Sequence, residues 1–148
     1  MGRKVRSSKD FLKLVEGYEL KPYKDSKGLL TVGVGHLLER DYTPEEVDRM
    51  LQDDIRAVRH HLDSYSYWGD LSAARQCVLI SLAFNVGVEG FKKFNKMRRA
   101  LARGDYYSAA EELVNSKRSR EDIARWRSKL EYQMMLTGKW PNESFEGI

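Results

Sequence analysis

Residues 71–86 limit what this chain can fold into more than any other stretch, because they are apolar on most sides, around Ala74, Val78, Leu79, Leu82, Ala83 and Phe84. A helix with apolar side chains all round has to be buried. The rest of the chain must therefore supply elements that wrap it. The second half offers them as shorter amphipathic segments at about 94–101, 106–114 and 123–136, with Gly104 and Gly138 as stops. Gly87 and Gly90 are expected to end the central helix.

The first half reads differently. Ser8 is a candidate N-cap for a short helix whose apolar face is Phe11, Leu12, Leu14 and Val15 and which ends at Gly17. From residue 18 to 38 the signals become Lys-Pro, Asp-Ser-Lys-Gly and the alternation Leu30, Val32, Val34, which predict tight turns and a small sheet. Thr43-Pro44-Glu45-Glu46 is a capping box with proline at the first helical position. It introduces a long helix carrying Val47, Met50, Leu51, Ile55, Val58 and Leu62 at helical spacing. The predicted fold class is α+β, mainly α: a small antiparallel sheet lobe and a helical lobe joined by a long helix. One domain covers 1–148, with the first helix, sheet and connecting helix at about 10–62, the helical lobe at 63–140 and a loosely attached tail at 141–148.

At 148 residues and 41% hydrophobic content the chain is large enough to bury a core of its own. It has no apolar run long enough to span a bilayer, and no apolar stretch follows the basic first residues, so no signal peptide is expected and the chain is expected to be cytoplasmic when made. Cys77, the single cysteine, excludes an internal disulfide, and its neighbours Val78, Leu79 and Ile80 predict a buried thiol. His36, His60 and His61 have no zinc-type spacing, so no metal and no cofactor is expected. Charge is uneven: residues 1–74 hold 12 Lys/Arg against 13 Asp/Glu, and residues 75–148 hold 14 against 9. Between 92 and 129 the balance is 12 to 5, which favours contact with an anionic polymer unless it is simply a solvated helix face.

Chemistry concentrates in residues 16–36. Glu16 stands at the end of the first helix, where carbonyl dipoles disfavour an anion and help keep a shielded carboxyl protonated. Asp25 falls on a turn and Thr31 on a strand. Hydrolysis of a glycoside needs one carboxyl held protonated for the leaving oxygen and one ionised carboxylate for water or the developing cation. Glu16 and Asp25 can form that pair.

Glu16, eight residues, Asp25, five residues, Thr31 and then Gly33-Val34-Gly35-His36 resembles the signature of the phage lysozymes of glycoside hydrolase family 24, the T-even phage endolysin type. Ala83-Phe84-Asn85-Val86-Gly87, Gly90 with Phe91 and Phe94, Arg103-Gly104-Asp105, and Arg127 four residues before Glu131 resemble the family's later blocks, so the similarity runs over about residues 8–140. The resemblance implies an endolytic muramidase cutting the β-1,4 bond between N-acetylmuramic acid and N-acetylglucosamine in bacterial peptidoglycan, leading to cell lysis. It implies Glu16 as general acid, with Asp25 and Thr31 positioning water in an inverting reaction. Leu37, Phe84 and Asn85 match positions lining the saccharide cleft, although Phe84 equally suits the core. Arg127 matches a basic residue near the acid, with an orienting role or a tie from the last helix to the first. Met97 stands where the family often has a small hydroxyl residue.

Gly33, Gly35 and His36 are expected to be structural, as are Trp68, Trp126 and Trp140. The expected partner is peptidoglycan, acted on after release from the cytoplasm by a monomer, with no nucleic acid and no stable membrane insertion. Two rivals remain: lytic transglycosylation, against which Asp25 and Thr31 argue, and a cationic wall- or membrane-binding module without catalysis.

Overall fold

The computed structural model describes residues 5–16, 19–24, 30–33, 42–115 and 122–141, with side-chain surroundings for 5–15, 42–115 and 126–141. Among the described residues there are six α-helices: α1 (Ser8–Glu16), α2 (Pro44–Leu62), α3 (Ala73–Lys92), α4 (Asn95–Ala102), α5 (Tyr106–Asn115) and α6 (Asp122–Thr137). A short 3-10 turn, Trp68–Asp70, leads from α2 towards α3.

The expected α+β class with a sheet lobe is corrected. The described residues form a helical domain, and their only extended structure is one ribbon of two strands, β1 (Glu19–Lys24) and β2 (Leu30–Gly33). They run antiparallel with Tyr23 opposite Thr31 and Lys24 opposite Leu30, and the register is irregular between Glu19 and Tyr23. Two short strands are marginal without other elements to pack on. The alternation at Leu30 and Val32 is thus too brief to build a lobe, and the apolar mass lies in the helices. The long helix joins no pair of lobes among the described residues, because α2 packs on both α1 and α3 within one assembly.

Helix α3 is the centre, in contact with α1, α2 and α6. Its Cys77, Val78, Leu79 and Leu82 are fully buried, against Phe11 and Leu12 of α1, Leu51 and Leu62 of α2 and Met134 of α6 within one continuous core. Burial pushes the Cys77 thiol up to about 12, so it stays neutral at physiological pH. Trp68 and Trp140 pack into or against this core, in keeping with a structural role. No described helix is long and apolar enough to cross a membrane.

Local signals set the ends. The Thr43 hydroxyl accepts from Glu46 N at 3.1 Å while Glu46 Oε1 accepts from Thr43 N at 3.2 Å, closing the capping box. At α1 the cap is Ser7, whose Oγ accepts from Asp10 N, and the expected Ser8 is the first helical residue. Gly87 does not end α3 but kinks it, at φ 81° and ψ 163°, and the helix resumes to Lys92.

The end of α6 is tied to the start of α3. Arg75 Nε donates to Met135 O at 2.7 Å and Nη2 to Leu136 O at 3.1 Å, while Ser72 Oγ donates to Gly138 O at 2.8 Å. These bonds satisfy carbonyls that every helix C-terminus leaves open. Gly138 adopts φ +71°, and a Cβ there would lie 2.9 Å from Arg75 Cζ. Gly138→Ala is therefore expected to destabilise the protein by at least about 1–2 kcal/mol through the left-handed backbone alone. At Gly69 an added Cβ would meet nothing within 4 Å, so alanine there should be tolerated with little change, and thermal melting of the two variants compares them.

Candidate active site

Glu16 is the last residue of α1, three positions before β1 begins at Glu19. Helix α1 is held at this end by Lys13, whose Nζ lies 2.6 Å from Asp48 Oδ1 on α2, with Lys9 Nζ 3.8 Å from Asp48 Oδ2. The hydrogen bond from Lys13 holds the Asp48 carboxyl below its ordinary 3.8, with the Lys13 and Lys9 charges adding to it and partial burial opposing. Thr31 lies on β2 opposite Tyr23. Lys24 closes β1, and Asp25 follows it in sequence. Asp25, Leu37 and His36 lie outside the described residues, as do the side chains of Glu16 and Thr31.

Arg127 is placed in full. It is only 4% exposed on α6, beside Ser81 of α3 and Glu131 one turn further along α6, both completely buried. Its Nε donates to Ser81 Oγ at 3.1 Å and its Nη2 to Ser81 O at 2.7 Å. Ser81 Oγ in turn donates to Glu131 Oε2, which lies 3.6 Å from Arg127 Nε. The guanidinium is clamped along its Nε–Nη2 edge, so the direction of the whole fork is set before any ligand arrives. The expected tie was from the last helix to the first, whereas these bonds join α6 to α3.

Phe84 and Asn85 follow Ser81 by three and four residues and share its face of α3. Exposure rises along that face: Ser81 is buried, Phe84 half-buried against the core and Asn85 exposed. The network beneath Arg127 thus leads out to a surface carrying an aromatic ring and an amide. Met97 is fully buried in the core, so replacing a small hydroxyl there is a change of packing.

Sequence reasoning missed Ser81 and the partnership of Glu131. Only the second left a signal, since Arg127 and Glu131 have the i, i+4 spacing of a helical ion pair.

Removing one partner of a buried ion pair strands the other's charge, so Arg127→Ala or Glu131→Ala should each cost about 3–5 kcal/mol, while Arg127→Met with Glu131→Leu should cost less than either. Chemical denaturation of the three variants measures this. Asp48 has a lowered folded pKa, so its contribution is present above its ordinary 3.8 and lost as pH falls through the lower folded value. Asp48→Asn should be slightly less stable than the parent at pH 7, with the gap closing in paired thermal melts as pH falls through the lowered folded value; the gap is small because the carboxylate is partly exposed.

A family model described as phage lysozyme matches residues 13–128. The endolysin of Salmonella phage P22 is 31% identical over 120 residues, covering 75% of this chain and 81% of the relative. A probable T4-type lysozyme 1 of Dictyostelium discoideum is 24% identical over 143 residues, covering 76% and 84%. The pre-baseplate central spike protein Gp5 of Enterobacteria phage T4 is 28% identical over 133 residues, which cover 70% of this chain but only 23% of that protein. The chain thus spans under a quarter of the spike protein and most of the other two.

Proposed function

The chain belongs to the phage lysozyme family, whose model matches residues 13–128, and from that premise we propose that it is a glycoside hydrolase of bacterial peptidoglycan that cuts the β-1,4 bond between N-acetylmuramic acid and N-acetylglucosamine within the glycan strand. Beside the family match, the observation that supports this reading is the backbone course: Glu16 ends a helix pinned to α2, and Thr31 on β2 lies opposite Tyr23, two residues before Asp25 in sequence.

In this reading Glu16 is the general acid. The C-terminal end of α1 is an unfavourable place for an anion, which raises the proton affinity of a carboxyl shielded there. Glu16 gives its proton to the glycosidic oxygen as the bond to the anomeric carbon breaks. Asp25 is the ionised partner. It orients a water with the Thr31 hydroxyl on the opposite face of the ring, takes the water's proton as attack proceeds, and opposes the positive charge at the anomeric carbon. The product has inverted configuration.

Arg127 takes an electrostatic and orienting role, its fork held by Ser81 and its charge balanced by Glu131. Leu37, Phe84 and Asn85 are the proposed saccharide contacts, an apolar surface and an amide being suited to N-acetyl sugars. No step calls on a metal or a cofactor.

Glu16→Gln and Asp25→Asn should each lower turnover of purified peptidoglycan by about 10²-fold or more while leaving the thermal melt in place. Turbidity loss of wall suspensions gives the rate and circular dichroism the fold. Full lysis of cells by folded Glu16→Gln would instead support a cationic module that acts without cleavage.

A further inference from the structure

Residues 92–103 hold six Lys/Arg and no Asp/Glu. The fold sorts these cations into two groups. Lys92 pairs with Glu89 at 3.0 Å and Arg103 with Asp105 at 3.3 Å. Arg98 turns back, its Nη1 donating to Lys92 O at 3.0 Å and its Cζ 4.9 Å from the Tyr65 ring centroid. Lys93, Lys96 and Arg99 are exposed and make no ion pair among the described residues. These three line one cavity of about 480 Å³ together with Phe94, Met97 and a single carboxylate, Glu112.

Packing does not require this arrangement. Helix α4 is anchored by Met97, Ala100 and Leu101, all buried, and neutral side chains at 93, 96 and 99 would leave that anchor intact. Lys96 and Arg99 are one turn apart, about 4.5 Å of helix rise, with Lys93 a further three residues back, just before the helix begins. Three like charges at such spacing repel one another, and an anion between them removes that cost.

We propose that this cavity and the cationic face of α4 hold a linear polymer of the cell envelope that carries a phosphodiester on each repeat. The choice of an envelope polymer rests on the reading of the chain as a wall-degrading enzyme. Cations one turn apart match a chain charged at every repeat better than an isolated carboxylate. A bilayer is a poorer match, because the apolar side of α4 is spent on the core and leaves no apolar face to insert. Single-stranded nucleic acid is also poorer, since among the described residues Phe94 is the one aromatic ring lining the cavity and is half-buried against the core, which gives no succession of platforms for base stacking. The consequence is tethering: the enzyme stays beside its glycan between cuts.

The test uses the full chain and fluorescent poly(glycerol phosphate) as probe, by anisotropy at 50 and 200 mM salt. Binding should weaken with salt, and Lys93→Gln/Lys96→Gln/Arg99→Gln should weaken it about tenfold or more at 50 mM. Arg49→Gln/Lys129→Gln/Lys139→Gln removes the same net charge from exposed positions elsewhere and should weaken it less than about threefold. Equal losses in the two triple variants would overturn the proposal, as would tighter binding to phosphatidylglycerol vesicles or to oligothymidine of equal charge. Cleavage of phosphate-free peptidoglycan fragments is followed in parallel and should be the same in the first triple variant and the parent. Absence of cleavage in both, with polymer binding intact, would count against the enzymatic reading and leave the polymer site standing.

Discussion

The contact on which the rest of the molecule depends is the buried junction of Ser81, Arg127 and Glu131. Two opposite charges inside a core are tolerable only when each is hydrogen-bonded and paired. Here one serine does both jobs, offering its carbonyl and hydroxyl oxygens to the arginine and its hydroxyl proton to the glutamate. An apolar contact between α3 and α6 would permit sliding or rotation of one helix on the other. The polar junction permits one register, and the Arg75 bonds to the end of α6 fix the same pair of helices at its other end.

That register is what makes α3 useful as a platform. The face that begins at buried Ser81 surfaces at Asn85, so a rigid interior becomes a rigid exposed edge within one turn. Helix α1 packs on α3 and α2, and the Lys13 to Asp48 bond pins it one turn before Glu16. A proposed general acid on a helix held at two faces keeps its position as the substrate changes shape, which is the property a proton donor needs. The β1–β2 ribbon continues from that helix end and carries Thr31 beside the residue pair that precedes Asp25.

Much of the helical framework was legible in the sequence because it is written in local chemistry. Thr43-Pro44-Glu45-Glu46 can hardly be other than a helix start, and Gly104 and Gly138 sit at positive φ where a stop was expected. Ser7 and Ser8 are chemically identical neighbours, so only the geometry of the preceding chain decides which one caps α1. Gly87 looks like a terminator, yet the packing of Phe91 in the core draws the chain back into helix after the kink. The overestimate of the sheet has the same origin: alternation over a few residues reports a strand without reporting how much surface it will find to pack on. At the site, the spacing of Glu16, Asp25 and Thr31 was readable as a pattern of chemistry. Ser81 was not, because a lone hydroxyl in an apolar helix acquires meaning only when α6 brings Arg127 to it.

On this reading the helical framework serves hydrolysis of the glycan strand, and the decisive measurement is mass spectrometry of the fragments released from purified peptidoglycan. Hydrolysis by Glu16 with an Asp25-held water yields fragments ending in a reducing N-acetylmuramic acid, with water incorporated at the cut. Fragments ending in anhydro-muramic acid would contradict it and assign the site to transglycosylation, a reaction in which Asp25 and Thr31 would have no water to position.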